Sequence, residues 1–214
     1  MKPPKLPVVT ALVFLSLAAS SAAADLVVNG GFEDPVTSDG PPFVGFWEAF
    51  NGGAGSSAAN SAVMPRTGLQ SLGLSIANTD NTFAGAFQDI TGLSSGVDYI
   101  FSGWHATPSS PLDLTTEVRI EWRNSGSNTE ISRTPNLNPI PTALYSTFDL
   151  TATVPVGADT ARLVYAIQTF TGGAGNNGTV YVDDVSFAVV PEPSSLILLG
   201  AGGLALVAMR RLRA

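Results

Sequence analysis

Two carboxylates in one strand-like segment, Glu117 and Glu121, are the residues whose spacing could support hydrolysis. Paired carboxylates cleave glycosidic bonds when they lie about 5–5.5 Å apart, or about 6.5–9.5 Å apart in the inverting mechanism. A strand rises about 3.3 Å per residue, which places these two on one face but roughly 13 Å apart. Arg119 lies between them. The spacing therefore predicts an exposed ladder of ion-paired charges rather than a catalytic pair.

Other catalytic arrangements would depend on a single residue, because His105 is the only histidine and the chain has no cysteine. One histidine excludes multi-histidine zinc sites and leaves little for general-base chemistry. We expect His105 to be a polar residue at a strand edge, beside Trp104. The sequence therefore predicts no enzymatic activity, and a small glycoside hydrolase is the least favoured alternative.

The adjacent carboxylates Asp183 and Asp184 are better suited to holding a metal ion. Calcium takes about six to eight oxygen ligands, and neighbouring carboxylates on a strand repel each other unless a cation or water lies between them. Strand alternation points the two side chains to opposite faces. We favour Asp183 as the direct ligand, since it shares a face with Val185 and Phe187, where an unpaired charge is costly. Solvated carboxylates without an ion are the alternative.

The end of the chain has three parts in order: Pro191, Glu192 and Pro193, then an apolar run over residues 196–209, then Arg210, Arg211 and Arg213. The run is short for a membrane span, which needs about 20 apolar residues, and the arginines should stay cytoplasmic. This layout resembles the PEP-CTERM sorting signal of Gram-negative and related bacteria. In that family a membrane-embedded exosortase recognises the Pro-Glu-Pro motif and removes the tail. An ordinary C-terminal membrane anchor is the alternative.

The start of the chain has the layout of a secretory signal peptide. Lys2 and Lys5 form a basic start, residues 8–18 an apolar stretch, and Ala22 to Ala24 a small-residue cleavage site. We expect Sec-type export and cleavage by signal peptidase after Ala24. The sequence thus divides into a signal peptide with an apolar helix at 1–24, one domain at 25–189, and a sorting signal with a short apolar helix at 190–214.

The domain at 25–189 is strongly acidic, with five arginines and no lysine against sixteen acids, for a net charge of −11. An acidic surface disfavours nucleic acid and anionic membrane, because phosphate contacts need clustered cations. Without cysteine, no disulfide can staple the exported chain. Its stability must therefore come from core packing and from any metal that it binds.

Glycine, proline, asparagine, serine and threonine interrupt the domain at short intervals, and the segments between them favour β-branched and aromatic residues. This pattern is typical of an all-β sandwich or barrel. Val118, Ile120 and Trp122 alternate with charged residues, which predicts a strand with these three in the core. We predict a β-sandwich of jelly-roll type with about eight or nine antiparallel strands. They fall near residues 26–32, 43–50, 69–77, 83–90, 97–105, 115–123, 144–154, 160–169 and 179–188, with Gly-rich loops at 51–57 and 171–178.

Four short blocks, at residues 29–35, 88–90, 99–104 and 180–187, resemble the carbohydrate-binding-module jelly rolls of the galactose-binding-like superfamily. The resemblance implies that the first and last strands lie side by side, with a structural calcium where they meet. It assigns as ligands the Gly31 carbonyl, the Glu33 carboxylate and Asp183, with Asp184 as a further candidate. The family often supplies another acid from the loop before the third strand, whereas residues 60–66 contain none.

Sugar rings bind by stacking on exposed aromatic side chains, so the tryptophans are the first candidates for a glycan site. Trp122 falls on the core face of its strand. Trp104 lies on the face opposite Tyr99, and which of the two faces outward is left open by the sequence. Trp47 is as well placed to cap the core as to bind. We therefore take Trp47 and Trp104 as the candidate ligand-binding residues.

Together these features predict an exported protein that is transiently anchored in the inner membrane. An exosortase-type system then sorts it to the cell surface or extracellular matrix of a Gram-negative-type bacterium. The domain is predicted to be non-catalytic, calcium-stabilised and carbohydrate-binding, with extracellular polysaccharide as its partner. A purely structural surface protein that binds no sugar is the alternative.

Overall fold

Short strands that end at turn-forming residues pack into two sheets in a computed structural model, which describes residues 23–41, 43, 45–170 and 175–191. The strands are β1 (Glu48–Asn51), β2 (Ser56–Ser61), β3 (Ser71–Ile76), β4 (Phe83–Thr91), β5 (Asp98–Ala106), β6 (Thr115–Asn124), β7 (Thr129–Arg133), β8 (Ser146–Thr153), β9 (Thr160–Gln168) and β10 (Gly178–Val189). Sheet A has the order β1-β4-β9-β6-β7, and sheet B the order β2-β3-β10-β5-β8. All of these strand pairs are antiparallel. The all-β sandwich predicted from the sequence is confirmed.

The core lies between the two sheets and is filled by alternate residues of each strand. Val118, Ile120 and Trp122 point inward from β6, as predicted. Trp47 is also in the core, so two of the three tryptophans are less than 4% exposed. The largest fully buried side chains are Trp47, Tyr165, Phe32, Phe101 and Phe187.

One polar link crosses this core. His105 on β5 of sheet B is 1% exposed, and its Nδ1 lies 2.7 Å from the hydroxyl oxygen of Tyr165 on β9 of sheet A. Burial lowers the pKa of His105 from 6.5 to about 4, because the charged imidazolium would be poorly solvated there. The prediction of a polar edge residue is therefore wrong, since the side chain follows the inward alternation of Tyr99 and Phe101.

The sequence does not predict β2, which begins within the expected loop at 51–57, or β7, which follows β6 after a tight turn. The segment 26–32, predicted as a strand, runs beside β10 without forming a regular one. Leu26 donates its N–H to the carbonyl of Phe187 at 2.8 Å. Asn29 and Phe32, however, have φ angles of 57° and 53°, which no extended strand can accommodate.

The helices predicted at the two ends lie outside the described residues, as do Ala22, Glu192, Pro193, Arg210, Arg211 and Arg213. Ala24 and Pro191 are described, and both are exposed. Within the described part of the chain, no helix is long and apolar enough to cross a membrane.

The two ends of the domain lie side by side. The carboxylate of Asp25 accepts a hydrogen bond from the backbone N–H of Phe187 at 2.9 Å. Val190 donates its N–H to the carbonyl of Asp98 at 2.9 Å, just after β10 ends. Asp25 and Val190 therefore lie in the same region of the sandwich.

Candidate functional site

The outer face of sheet A, which we name the groove face, carries three rows of side chains. Phe87 on β4 pairs with Val164 on β9, which pairs with Arg119 on β6. Neighbouring strands lie about 4.8 Å apart, so Phe87 and Arg119 are separated by roughly 10 Å. Val164 and Ala166 point outward yet are only 1% and 4% exposed. The centre of the groove face therefore has small side chains. The phenylalanine row on one side of it is the aromatic wall, and the charged row of β6 on the other side is the charged wall.

Five phenylalanine rings follow one another in the aromatic wall. The centroid distances are 5.2 Å from Phe43 to Phe87, 6.2 Å from Phe87 to Phe50, 5.9 Å from Phe50 to Phe83 and 6.0 Å from Phe83 to Phe170. Gly85 allows this row, because a Cβ atom there would lie 2.5 Å from the Phe50 ring and 2.7 Å from the Tyr165 carbonyl oxygen. We did not predict the wall, although the alternation of Phe83, Gly85 and Phe87 in a predicted strand is the signal for it.

Phe46 is an exposed ring beside this wall, 50% exposed, whereas its chain neighbour Trp47 is 1% exposed. A recess of about 200 Å³ lies between Phe46 and Phe43. A second recess, of about 330 Å³, lies on the side of Phe46 that leads to Thr91. Asp89 lines both recesses. An aromatic ring beside a carboxylate can stack on a sugar and bind its hydroxyl groups.

Neither of the tryptophans predicted to bind sugar has a free ring. Trp47 lies in the core, and its Nε1 donates to the carbonyl of Asn29 at 3.1 Å. Trp104 lies on the outer face of sheet B, where the guanidinium carbon of Arg66 is 3.8 Å from its ring centroid. Phe46 and Trp47 lie in the bend just before β1, where Trp47 is buried and Phe46 is exposed. The candidate stacking residue is therefore Phe46, which corrects the expectation for Trp47.

The charged wall is the ladder on β6. Arg119 donates to both neighbouring carboxylates, Glu117 and Glu121, with its Nε 2.8 Å from Oε1 of Glu121. The three side chains are between 8% and 15% exposed, so the ladder is largely buried rather than exposed as predicted. Nη1 of Arg133, from the edge strand β7, lies 3.7 Å from Oε1 of Glu121. One guanidinium therefore bridges the two glutamates, as the predicted ladder of ion-paired charges requires.

Positive charge on this face is compensated within the chain. Arg162 binds Asp89 through two hydrogen bonds of 2.8 Å, and its guanidinium carbon lies 3.9 Å from the centroid of the Phe87 ring. Each of the five arginines of the domain is in at least one ion pair: Arg66, Arg119, Arg123, Arg133 and Arg162.

A second polar cluster, which we name the junction, joins the first segment of the domain to sheet B. The register of β10 against β5 shifts between Asp183 and Ser186, and Asp184 has a φ angle of 47°. Such a bulge breaks the alternation of a strand. Both aspartates consequently reach the same loop, at residues 66–70, and the prediction that they point to opposite faces is wrong.

Asp183 is 0% exposed, and its carboxylate accepts backbone N–H bonds from Arg66 at 2.7 Å, Thr67 at 3.2 Å and Asp184 at 2.8 Å. Burial raises the pKa of Asp183, and these three hydrogen bonds oppose the rise. Asp184 binds the guanidinium of Arg66 and the hydroxyl of Thr67, the latter at 2.6 Å. Both carboxylates therefore have all of their oxygen atoms in hydrogen bonds.

The other two predicted calcium ligands lie at the junction as well. Oε1 of Glu33 accepts the N–H groups of Leu69 at 2.9 Å and Gln70 at 3.0 Å. A Cβ atom on Gly31 would lie 3.8 Å from Oδ1 of Asp183. No group of three or more His, Cys, Asp or Glu side chains among the described residues is placed to hold a metal ion. The predicted ligands share a region, but their carboxylates bind the 66–70 loop.

The tail matches a known family model. Residues 189–213 match the PEP-CTERM protein-sorting motif. The chain carries this sorting motif. The resemblance drawn from the Pro-Glu-Pro sequence, the apolar run and the arginines is thereby confirmed. Among curated proteins, none matches the chain.

Several solved structures share the fold of the domain. The enzymatically active domain of tailspike protein 4 from bacteriophage CBA120 is 17% identical, with a TM-score of 0.59; the match covers 78% of this chain and 21% of that one. The CBM22-1 xylan-binding domain of Paenibacillus barcinonensis Xyn10C is 16% identical, with a TM-score of 0.55 over 82% of this chain and 100% of that one. A family 16 carbohydrate-binding module is 19% identical, with a TM-score of 0.50 over 77% and 99%. At these identities the likeness shows the fold alone, which is that of carbohydrate-binding-module jelly rolls.

Proposed function

We propose that this protein is exported and sorted by its C-terminal motif, and that it binds glycan chains through the recesses on either side of Phe46. The observation that carries the proposal is an exposed aromatic ring beside the outer face of sheet A, with a carboxylate lining the open recesses around it. The shared fold with carbohydrate-binding modules supports it. Catalysis is not part of the proposal, because Arg119 bridges the carboxylates that hydrolysis would need.

The ligand that suits this face is an uncharged polysaccharide. Binding a polyanionic chain requires free cations, whereas the arginines of the domain are all ion-paired and its net charge is −11. A neutral sugar ring can stack on Phe46 while its hydroxyl groups donate to Asp89.

Co-sedimentation with insoluble polysaccharides tests this proposal. The full chain is purified in a polyoxyethylene detergent, which carries no sugar, and mixed with cellulose, insoluble xylan or calcium alginate as the anionic polymer. We expect retention on at least one of the neutral polymers, and about tenfold weaker retention for Phe46→Ala, the loss of one stacking contact. Phe170→Ala is the matched control, since its ring is 53% exposed at the other end of the aromatic wall.

The outcomes separate the two classes of function. Absence of retention on every polymer would favour the alternative, a structural surface component that binds no sugar. Equal losses in Phe46→Ala and Phe170→Ala would place the site elsewhere on the groove face. Release of reducing sugar by the wild type would overturn the non-catalytic assignment.

For the tail, we propose that an exosortase cleaves near the Pro-Glu-Pro motif and releases the domain to the cell surface or the extracellular matrix. The matched sorting motif supports this step. Glu192→Ala should leave the chain in the inner membrane with its tail uncleaved, and Ser195→Ala, two residues after the Pro-Glu-Pro sequence, is the control. Normal maturation of Glu192→Ala, seen by mass spectrometry, would make the tail a plain anchor.

A structural calcium at Gly31, Glu33, Asp183 and Asp184 stays a prediction that rests on the family resemblance. Calcium binding there predicts that a chelator lowers the melting temperature of the protein, and an unchanged melting temperature would remove the metal.

A further inference from the structure

The junction contains a positive charge that belongs to the chain itself. Asp183 and Asp184 are adjacent in sequence, and Asp183 is 0% exposed. Two neighbouring carboxylates taken out of water need a nearby counter-charge or a full set of donors. The guanidinium of Arg66 forms an ion pair with Asp184, and the two side chains are 30% and 27% exposed. The counter-charge is therefore an arginine held partly out of solvent.

Arg66 is also held in place from its other side. Its guanidinium carbon lies 3.8 Å from the centroid of the Trp104 ring, a distance at which the cation is attracted to the ring face. The segment just before Arg66 is also bonded to the residue that precedes β8. The hydroxyl of Tyr145 donates to the carbonyl of Met64 at 2.5 Å. A planar guanidinium suits this double contact, since it can stack on a ring and bind a carboxylate together.

The other donors of the same loop complete the arrangement. Backbone N–H groups of the 66–70 loop donate to Asp183 and to Glu33, so all three carboxylates of the predicted calcium set bind this one loop. The resemblance implies an acidic ligand from the loop before the third strand, and Arg66 stands in that loop instead. The loop thus brings a positive charge where a calcium site would need a negative one.

We propose that Arg66 and the backbone N–H groups of the 66–70 loop take the place of the calcium ion, so that the first segment of the domain closes onto β10 without a metal. The bond from the N–H of Val185 to the carbonyl of Gly30, at 2.9 Å, is the closure that this charge supports.

Thermal unfolding of the full chain in a polyoxyethylene detergent, followed by tryptophan fluorescence, tests the proposal. The melting temperature of the wild type should be the same in excess EDTA and in excess calcium chloride. Arg66→Ala should lower it by roughly 3–6 °C and make it rise again on addition of calcium, because the carboxylates then lack their cation. Arg162→Ala is the matched control, since Arg162 also stacks on an aromatic ring and pairs with an aspartate. It should lower the melting temperature without any response to calcium.

A double-mutant cycle with Asp184→Asn completes the test. Asparagine tolerates the left-handed backbone of residue 184, so this change removes the charge with little strain. The loss caused by Arg66→Ala should shrink in the Asp184→Asn background, and this non-additivity supports the proposal even if calcium has no effect. Should Arg66→Ala not fold, Arg66→Gln, which removes the charge but keeps most of the side chain, replaces it in the cycle. A wild type that melts lower in EDTA than in calcium, or additive losses in the cycle, would overturn the proposal.

Discussion

The two outer faces of the sandwich follow the same alternation but carry different chemistry. The groove face of sheet A bears the aromatic wall and the largely buried charge ladder. The outer face of sheet B, which we name the hydroxyl face, bears mostly small hydroxyl side chains: Ser57, Ser75, Ser102, Thr147, Thr151 and Thr153. Inward residues on both sheets are similarly apolar. The inward-facing side chains therefore determine the fold, whereas any binding function depends on the outward-facing side chains.

Lowering the pH should have the largest effect on stability. It protonates His105, whose hydrogen bond with Tyr165 joins the two sheets that carry these faces. The pKa of His105 is about 4 in the folded chain and about 6.5 when unfolded, so the unfolded chain binds the proton more tightly. The contribution to stability is therefore complete above pH 6.5 and falls as the pH drops toward 4. The loss should reach about 3 kcal/mol, measured by denaturant unfolding at a series of pH values.

The control for this effect is His105→Gln, which does not titrate. Several carboxylates also respond to acid: burial raises the pKa of Asp183, while hydrogen bonds lower those of Glu130 and Asp159. The difference between the wild-type and His105→Gln profiles removes their contribution. Parallel profiles would show that His105 is not the group that matters.

The next largest effect is expected from Gly→Ala substitutions at two outward-facing glycines, one on each face, which should lower the unfolding free energy by different amounts. A Cβ atom on Gly85 would lie 2.7 Å from the Tyr165 carbonyl and 2.5 Å from the Phe50 ring, whereas on Gly73 the nearest atom is Cβ of Ser61 at 3.0 Å. The Tyr165 backbone, in the middle of sheet A, cannot move away from an added methyl group as easily as Ser61, which ends the edge strand β2. Gly85→Ala should therefore cost about 1–3 kcal/mol of unfolding free energy, and Gly73→Ala less than about 0.5 kcal/mol. Equal losses would mean that both faces are equally well packed.

Aromatic residues on the two faces should separate binding from stability. Phe87→Ala removes the ring of the aromatic wall that lines the recess between Phe43 and Phe46, and should weaken polysaccharide retention about tenfold. Trp104→Ala, on the hydroxyl face, should leave retention of the folded chain unchanged while lowering the melting temperature through the loss of its contact with Arg66. Loss of retention in Trp104→Ala alone would assign binding to the hydroxyl face.

The smallest effect is expected at the rim of the groove face. Glu130 on the edge strand β7 pairs with Arg133 at 2.6 Å, but the side chain of Arg133 is 51% exposed. Exposed pairs contribute little, so Glu130→Gln should change the unfolding free energy by about 0.5 kcal/mol or less. A larger loss of unfolding free energy would show that ion pairs on β7 also stabilise the fold.

Sequence patterns predicted the architecture well because successive side chains of a strand point to opposite faces, which gives a period of two residues. The alternation of Val118, Ile120 and Trp122 identified the core face of β6, and turn residues located most strand ends. The same regularity failed at β10, where Asp184 adopts a left-handed φ of 47° and a bulge breaks the period. Nothing in the local sequence distinguishes a bulged strand from a regular one at that position.

The candidate site was harder to predict because it depends on contacts between distant residues. Arg66 lies 118 residues from Asp184, and no local pattern relates the two. Trp47 and Phe46 are neighbours in the bend before β1, and their roles depend on which of the two side chains that bend turns into the core. The sequence supported the choice of an aromatic residue there but not the direction of its side chain.

The position of β10 has a consequence for the order of events during secretion. β10 lies in the interior of sheet B, between β3 and β5, and the sorting motif begins at its last residue. If the chain is exported with its N-terminus first, as proposed, the β2–β3 hairpin and the β5–β8 pair have no strand to join them until residues 178–189 have emerged. On the proposed export route, sheet B therefore closes only after residues 178–189 have emerged, and the sorting motif follows directly behind them.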